Sequence, residues 1–291
     1  MRKPPIQHLL QLLSHLSLRG QYRLADLMSL LLRHTSNQIS RQTRENIDLC
    51  FGELEPAARQ NLYRESVRHT CYTLTELAAV WHWPVERVLS RITSTDICAE
   101  FDRSNQGRII VAPHLGSWET LALWLGQHCN AIMLYKKRNN EALNRYITEA
   151  RARSGGKLVP TRMRGLRQLL VGLQQGGSLM ILPDQKPGIN KAGVEARFFG
   201  RSAPTTSLVR NLCSKLDCDV FIASMCRATP PGEFNLEIRP LDHRRLAAEE
   251  KESAQYMNDQ IESLVRKHPE QYQWGYRRFS ASCYESHDDE A

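Results

Sequence analysis

The chain has 291 residues, of which 24% are charged and 41% hydrophobic, a globular balance that excludes a fibrous or intrinsically disordered protein. At roughly 150 residues per domain, this length predicts one large domain, alone or with an attached N-terminal subdomain. Lysine and arginine total 39 and aspartate and glutamate 31, so the formal charge is +8. We therefore expect an anionic partner, whether nucleic acid, a phosphorylated ligand, an acidic protein or a bilayer surface.

Residues 1–100 are predicted to form a helical region packed on the main domain. Apolar residues recur at helical spacing on two segments: Leu9, Leu10, Leu12, Leu13 and Leu16, then Leu24, Leu27, Met28, Leu31 and Leu32. A third helix is predicted over 57–77, with Pro56 suited to its first turn. The first leucine face, flanked by Arg2, Lys3, Arg19 and Arg23, suits an anionic membrane surface. Packing on the protein's own core fits these residues at least as well.

No run approaches the roughly 18 apolar residues of a membrane-spanning helix. The short apolar run over 9–18 also lacks the cleavage site of a secretory signal. The eight cysteines are scattered without a C-x-x-C pair, so they are predicted to be reduced and buried rather than disulfide-bonded. These features favour a soluble or peripheral protein that faces the cytoplasm.

Residues 101–291 alternate short apolar runs with helical patterns. Strands are predicted over 108–112, 131–135, 157–159, 179–182, 220–225 and 234–238. Helices are predicted over 117–127, 140–153, 165–174, about 205–215 and 249–267. Strands alternating with helices of this length imply a largely parallel central sheet flanked by helices, so the predicted fold class is α/β.

The chemistry is expected where the strand over 108–112 ends, because ligands bind beyond the carboxyl ends of the strands in such sheets. His114 follows this strand, Gly116 permits a tight turn, and Glu119 falls in the first turn of the next helix. If Glu119 accepts a hydrogen bond from one ring nitrogen of His114, the other nitrogen can take a proton from a hydroxyl group. The pair lacks the serine of a hydrolase triad and suits direct attack of an acceptor alcohol on an activated acyl group.

Other candidate sites in the sequence carry weaker signals. Ser117 does not stand in a G-x-S-x-G nucleophile elbow, and Gly155-Gly156-Lys157 lacks the rest of a phosphate-binding loop. Cys213, Cys218 and His243 do not match zinc-ligand spacing, so the cysteines are interpreted as buried thiols. We expect no metal and no cofactor.

Several short strings stand in a characteristic order along residues 40–280. They are Asn46-Ile-Asp-Leu-Cys-Phe51, His114-Leu-Gly-Ser-Trp-Glu119, Tyr135-Lys136-Lys137-Arg138-Asn139, Arg151-Ala-Arg-Ser-Gly155-Gly156-Lys157, Asp184-Gln185-Lys186-Pro187-Gly188, Phe198-Phe199-Gly200 and the segment from Pro269 to Phe279. Together they resemble the bacterial late acyltransferases of lipid A biosynthesis, a lauroyl and myristoyl transferase family related to lysophospholipid acyltransferases. The chain departs from that pattern at Leu115 and Ser117, where phenylalanine and asparagine are commoner, and in lacking an N-terminal anchor of spanning length.

The resemblance implies a glycerolipid acyltransferase-like fold, with residues 101–291 as the catalytic domain. It implies an acyl carrier protein thioester as donor and a hydroxyacyl glucosamine disaccharide phosphate as acceptor. His114 is then the general base and Glu119 its orienting partner. No cofactor is implied for this reaction.

The resemblance also implies a set of substrate-binding residues. Arg151 is the first candidate for the oxyanion or the acceptor phosphate, followed by Arg138 and Asn139, because a guanidinium offers a fork of donors. Asp184 and Gln185 leave a strand at the same edge of the sheet. There they contact the sugar, brace the site or form a structural turn.

Both implied substrates are anionic. The charge of +8 therefore fits steering toward an acidic carrier protein and an anionic glycolipid at the cytoplasmic face of the inner membrane, with this chain bound peripherally. Transfer to another lipid, such as a lysophospholipid or an amino-acid-headed lipid, remains open. So does a nucleic-acid-binding or catalytically inactive protein, although no RNP-like string, helix-turn-helix or zinc finger supports a nucleic-acid partner and we expect none.

Overall fold

The computed structural model describes residues 4–135, 139–160, 163–188 and 193–288, without the side chains of 163–167 and 286–288. Its helices are α1 (Pro5–Leu13), α2 (Leu18–His34), α3 (Gln38–Cys50), α4 (Pro56–His82), α5 (Val85–Leu89), α6 (Ala99–Arg103), α7 (Trp118–His128), α8 (Glu141–Ala152), α9 (Met163–Gln174), α10 (Leu208–Cys213), α11 (His243–Ala247), α12 (Glu250–Lys267) and α13 (Ser282–Asp288). Its strands are β1 (Ile92–Ile97), β2 (Arg108–Val111), β3 (Ala131–Tyr135), β4 (Lys157–Pro160), β5 (Ser178–Ile181), β6 (Gly193–Phe198), β7 (Arg201–Thr206), β8 (Asp219–Arg227) and β9 (Phe234–Leu241). A short 3₁₀ helix spans Pro269–Gln271.

In the described chain, seven strands form one sheet in the order β1-β9-β8-β2-β5-β3-β4. All neighbouring pairs in this sheet are parallel except β8 and β9. Successive side chains of β2 enter two different apolar cores, Ile109 and Val111 one of them and Ile110 the other. Helices α9, α10 and α12 contribute to the first core, and α2 and α7 to the second. The predicted α/β fold, with a largely parallel central sheet flanked by helices, is confirmed.

Local sequence sets where several helices begin. The side chains of Ser17 and Asn37 accept hydrogen bonds from backbone N–H groups three residues later, at the starts of α2 and α3. Pro56 occupies the first turn of α4 as predicted, where its missing N–H costs no hydrogen bond. That helix runs beyond the predicted end at residue 77 because Ala78, Ala79 and Val80 continue its buried face.

The predicted leucine faces divide between core and surface. Leu10 is buried against Ala78 of α4, whereas many of its neighbours are exposed. We term the exposed apolar side chains of α1, α2, the turn between them and α4 the leucine patch: Ile6, Leu9, Leu12, Leu16, Leu27, Leu30, Leu31 and Leu74. Within the described ranges, no helix is both long enough and apolar enough to cross a bilayer.

Three strands were not predicted. β1 pairs with β9 at the edge of the large sheet, and its residues are mostly exposed, so its sequence lacks the apolar alternation that marks a half-buried strand. β6 and β7 form a hairpin whose two turn residues, Phe199 and Gly200, have φ of +50° and +71°. Because β7 extends to Thr206, the helix expected over about 205–215 is confined to α10.

Candidate active site

The loop after β2 lies at the carboxyl edge of the sheet, where the sequence predicts the site. Gly116 has a φ of +61°, and a Cβ there would lie 2.2 Å from the carbonyl oxygen of Met225. Glycine is therefore required, both for the left-handed backbone and for the close approach of β8. The turn places Glu119 in the first turn of α7, as predicted.

Backbone hydrogen bonds from the chain around the 3₁₀ helix hold this loop. Gly116 N–H donates to the carbonyl oxygen of Gln271, and Gln273 N–H donates to that of His114, each at 3.0 Å. The side chain of Gln271 is fixed in turn by two hydrogen bonds with the backbone of Arg227. The string from Pro269 onward thus positions the loop that carries His114.

The aromatic residues of the later strings pack together in the core. Phe198, Phe199, Tyr272 and Trp274 are all buried. The ring of Phe198 contacts those of Phe199 and Tyr272, and the ring of Tyr272 contacts that of Trp274. Asn46 of α3 donates to the carbonyl oxygen of Trp274 at 2.6 Å, which ties the first string to the last. These residues build the frame around the site.

The carboxylate that contacts the imidazole is Asp184. β2 and β5 are parallel neighbours with Val111 beside Ile181, so His114 and Asp184, each three residues farther along, meet at the sheet edge. Oδ1 of Asp184 lies 2.8 Å from Nδ1 of His114, and Oδ2 accepts the backbone N–H of His114 at 2.9 Å. Burial alone would raise the pKa of Asp184, but the imidazole and these hydrogen bonds hold the pKa below its usual value. The carboxylate is therefore ionised and fixes the ring.

The second ring nitrogen of His114 faces an amide. Nε2 of Gln185 lies 3.3 Å from Nε2 of His114 and 3.3 Å from Oε1 of Gln273. An amide N–H directed at the ring requires a lone pair on the histidine Nε2, so the proton is assigned to Nδ1, which donates to Asp184. Trp118 packs edge-on against the imidazole with ring centroids 5.0 Å apart. The imidazole of His114 is thus held at both ring nitrogens and against one neighbouring ring.

Glu119 has other partners than expected, which corrects one prediction. Its Oε2 accepts hydrogen bonds from Nε of Arg151 at 3.0 Å and from Nε1 of Trp81 at 3.2 Å, and its Oε1 pairs with Nη2 of Arg151. Burial opposes ionisation, but the charge and hydrogen bonds of Arg151 lower the pKa of Glu119. The hydrogen bond that Glu119 was expected to accept from the His114 ring is accepted by Asp184. Arg151, predicted to bind an oxyanion or phosphate, donates to Glu119, and its substrate-binding role stays a prediction.

A cavity of about 370 Å³ opens beside His114, within the size range of small-ligand sites. Its polar lining includes His114, Glu119, Arg151, Gln185 and Lys186. Its apolar lining includes Ala122, Met133, Met180, Leu182 and Leu208. The apolar side chains can hold the hydrocarbon chain of an acyl group. Its reactive carbonyl would then lie at the polar end of the cavity, beside His114.

The remaining predicted residues lie outside this cluster or outside the described residues. Asn139 is exposed and does not line the cavity. Arg138 falls outside the described residues. Lys186, for which the sequence predicts no role, lines the cavity beside Gln185. Its backbone N–H donates to the hydroxyl of Tyr276 at 3.0 Å. Burial, with the nearby positive charges of two arginines, lowers the pKa of Lys186.

A buried ion pair behind the loop was also missed. Arg227, at the end of β8, contacts Glu76 of α4 through Nε at 2.9 Å and Nη2 at 2.6 Å. Tyr22 of α2 donates to the same carboxylate at 2.8 Å, and Nη2 of Arg227 reaches the carbonyl oxygen of Gly116 at 3.2 Å. The network ties the N-terminal helices to the His114 loop. The sequence carries one signal for this pair. Arg227 ends an apolar strand, and a buried arginine needs a partner of opposite charge.

The fold and the site together define an α/β protein with a histidine–aspartate base beside a partly apolar cavity, an arrangement suited to acyl transfer. The model of the bacterial lipid A biosynthesis acyltransferase family matches residues 8–281, and the chain belongs to that family.

Two relatives and one solved structure are similar to this chain. The chain is 27% identical over 239 residues to the lipid A biosynthesis palmitoleoyltransferase of Escherichia coli (strain K12), covering 81% of this chain and 77% of that protein. It is 22% identical over 237 residues to the lipid A biosynthesis lauroyltransferase of the same organism, covering 80% and 76%. A solved structure, the 1-acyl-sn-glycerophosphate acyltransferase PlsC from Thermotoga maritima, superposes with a TM-score of 0.41 at 16% identity, covering 88% of this chain and 99% of that one.

Proposed function

We propose that this chain transfers a fatty acyl group from an acyl carrier protein thioester to a hydroxyl group of a lipid A precursor. One observation supports this above the others: His114, held by Asp184, lines a cavity with polar and apolar walls in a chain of this family. The Escherichia coli relatives are named for palmitoleoyl and lauroyl transfer in lipid A biosynthesis, which supports the same reaction class here.

In the proposed reaction, Nε2 of His114 takes the proton of the acceptor hydroxyl as its oxygen attacks the thioester carbonyl carbon. The new C–O bond forms, the tetrahedral intermediate collapses, and the C–S bond breaks. The departing sulfur then takes the proton from the imidazolium, which leaves the carrier protein as a thiol. Asp184 holds the ring and stabilises its transient positive charge. The Gln185 amide must leave Nε2 when the hydroxyl arrives.

The Glu119–Arg151 pair is proposed to position the cavity wall rather than to act on the proton. It joins α7 to α8, and Glu119 also fixes Trp81 of α4. The guanidinium of Arg151 is bound to Glu119. We therefore assign the acceptor phosphate to the ammonium group of Lys186, a residue that also lines the cavity. Arg138 and Asn139 stay predictions for acceptor binding.

The leucine patch is proposed to bind the cytoplasmic face of the inner membrane. It presents eight exposed apolar side chains, with Leu12 exposed at 68% and Leu31 at 59%. Arg19 and Arg23 on α2 are also exposed, and a basic rim beside an apolar face favours an anionic bilayer. Such attachment would bring the enzyme to a lipid acceptor, while the charge of +8 attracts an acidic carrier protein.

The test is transfer by the purified full-length chain from acyl carrier protein thioesters of several chain lengths. The acceptors are a phosphorylated hydroxyacyl glucosamine disaccharide, a lysophospholipid and a lyso form of an amino-acid-headed lipid. Mass spectrometry is expected to show one added acyl chain on the disaccharide, and His114→Ala is expected to abolish it while circular dichroism stays unchanged. Acylation of only the lysophospholipid or the amino-acid-headed lipid would show that the acceptor is that lipid and not the disaccharide. No transfer from any thioester would contradict the proposed activity.

A further inference from the structure

Three side chains that the sequence separates meet at the end of the sheet away from the active site. Cys213 ends α10, Cys218 directly precedes β8, and His243 begins α11. Both cysteines are buried and the histidine is half-buried. One ligand atom from each residue, a sulfur or a ring nitrogen, lies within 4.8 Å of both others. The spacing of these residues along the chain does not match a zinc motif, but the fold brings the three side chains together.

We propose that Cys213, Cys218 and His243 bind a Zn²⁺ ion. Two thiolates and an imidazole are a ligand set that Zn²⁺ prefers, and three protein ligands hold the ion when water or another group takes the fourth tetrahedral position. Zn–S bonds of about 2.3 Å and Zn–N bonds of about 2.0 Å put tetrahedral ligand atoms roughly 3.5–3.8 Å apart. With all three atoms within 4.8 Å of one another, the cluster can close on the ion with shifts of about 1 Å or less.

The surroundings of the cluster support a cation. Asp217 and Asp219 flank Cys218 and place negative charge beside it. Nε2 of His243 lies 3.1 Å from the carbonyl oxygen of Leu216, the kind of backbone contact that orients a metal-ligating imidazole.

The position of the cluster separates the ion from the transfer chemistry. Asp219, next to Cys218, pairs with Arg108 at the amino end of β2, whereas His114 follows the carboxyl end. The length of β2 alone keeps the thiols about 10 Å or more from the imidazole. The ion would join the end of α10, the start of β8 and the start of α11, so it should stabilise this end of the fold and leave the transfer chemistry to His114.

The first experiment measures metal in the full-length chain purified without chelator or affinity metal. About one zinc per chain is expected by mass spectrometry of the elements, as for a single tetrahedral site. Replacing zinc by Co²⁺ is expected to give the visible absorption of a tetrahedral thiolate complex. Adding Zn²⁺ to the reduced, metal-free chain is expected to raise the melting temperature by roughly 5 °C or more. A reduced chain that takes up neither ion and shows no shift overturns the inference.

Matched variants then locate the site. Cys218→Ala and His243→Ala are each expected to lose the zinc and the Co²⁺ absorption, whereas Cys129→Ala, which removes a buried cysteine outside the cluster, should keep both. Loss of zinc in the Cys129 variant alone would overturn the assignment. So would acid-quenched alkylation of the chain in cells showing a Cys213–Cys218 disulfide and no zinc, since the two thiols would then form a redox pair.

Discussion

Asp184 holds His114 by two atoms at once, with Oδ2 on the backbone N–H at 2.9 Å and Oδ1 beside ring Nδ1 at 2.8 Å. The double contact fixes the ring relative to the loop that carries it. The carboxylate is buried, so no water competes for either contact. It follows that the ring can act only through Nε2, beside Gln185.

Asp184→Asn should lower kcat by about 10⁴-fold, the loss observed when an asparagine replaces the aspartate that orients a catalytic histidine. The amide keeps the shape but can accept at only one of its two atoms, so it cannot serve both N–H groups of His114. Initial rates of acyl transfer by folded protein measure this effect. Asp102→Asn, an exposed aspartate on α6, is the control and should keep full activity. Equal rates for the two variants would remove Asp184 from the mechanism.

The strand before His114 and the loop itself were predictable because their signals are local. An apolar run followed by proline, histidine and glycine places the imidazole at the carboxyl edge of the sheet. The same reasoning put Asp184 and Gln185 at that edge. The sequence could not show that Asp184 contacts the His114 ring, because this contact depends on β2 lying next to β5, with Val111 beside Ile181. Strand order follows from packing of the whole chain, and no short string encodes it.

Contacts across long stretches of sequence account for the other differences. Glu119 and Arg151 are 32 residues apart, and Glu76 and Arg227 are 151 apart. In each case the sequence shows two charged residues whose burial is unknown until the helices are placed. The sequence predicts that Glu119 pairs with His114, the nearest basic residue along the chain. In the structure, α8 instead brings the guanidinium of Arg151 within hydrogen-bonding distance of Glu119.

Arg151→Met should destabilise the fold by about 3 kcal/mol, because it leaves the buried Glu119 carboxylate without its counter-charge. Arg151→Met combined with Glu119→Gln should recover much of that loss, since the uncompensated charge is then removed. Urea unfolding of the two single variants and the double variant gives the coupling free energy. Additive losses would show that the pair does not interact in solution.

Gly116→Ala should cost more than about 3 kcal/mol and lower kcat by at least about 100-fold, because the new Cβ would meet the Met225 carbonyl oxygen and displace the loop. Gly200→Ala is the matched control. Gly200 also has a positive φ, of +71°, but a Cβ there would meet nothing within 4 Å. Its substitution should cost only the left-handed backbone penalty of about 1–2 kcal/mol and leave kcat unchanged. Equal losses at both positions would contradict the close approach of β8.

The free energy of unfolding should fall as the pH drops from 7 to 5.5, in part through His69. Burial and the positive charges of Arg227 and Arg68 lower the pKa of His69 to about 2. An unfolded histidine titrates near 6.5, so below that pH the unfolded state binds a proton that the folded state refuses. The loss should be about 1 kcal/mol, less than the full linkage value because the ring is only half-buried.

His69→Gln should flatten this pH dependence, since the unfolded chain then has one less group to protonate. His34→Gln, at the exposed end of α2, is the control and should retain the slope of the unaltered protein. Urea unfolding at pH 7 and 5.5 measures all three chains. Identical slopes for the two variants would mean that His69 is accessible to protons in the folded state.

Replacing leucines of the leucine patch should weaken membrane binding. Burying one leucine side chain is worth about 1.5–3 kcal/mol, so the triple variant Leu12→Gln, Leu27→Gln and Leu31→Gln should bind vesicles at least tenfold less tightly. Cosedimentation with phosphatidylglycerol-containing vesicles measures the loss, and pure phosphatidylcholine vesicles test the contribution of charge. Val171→Gln is the matched control, because Val171 is 50% exposed but lies on α9, outside the patch. Undiminished binding by the triple variant would place the membrane contact elsewhere on the chain.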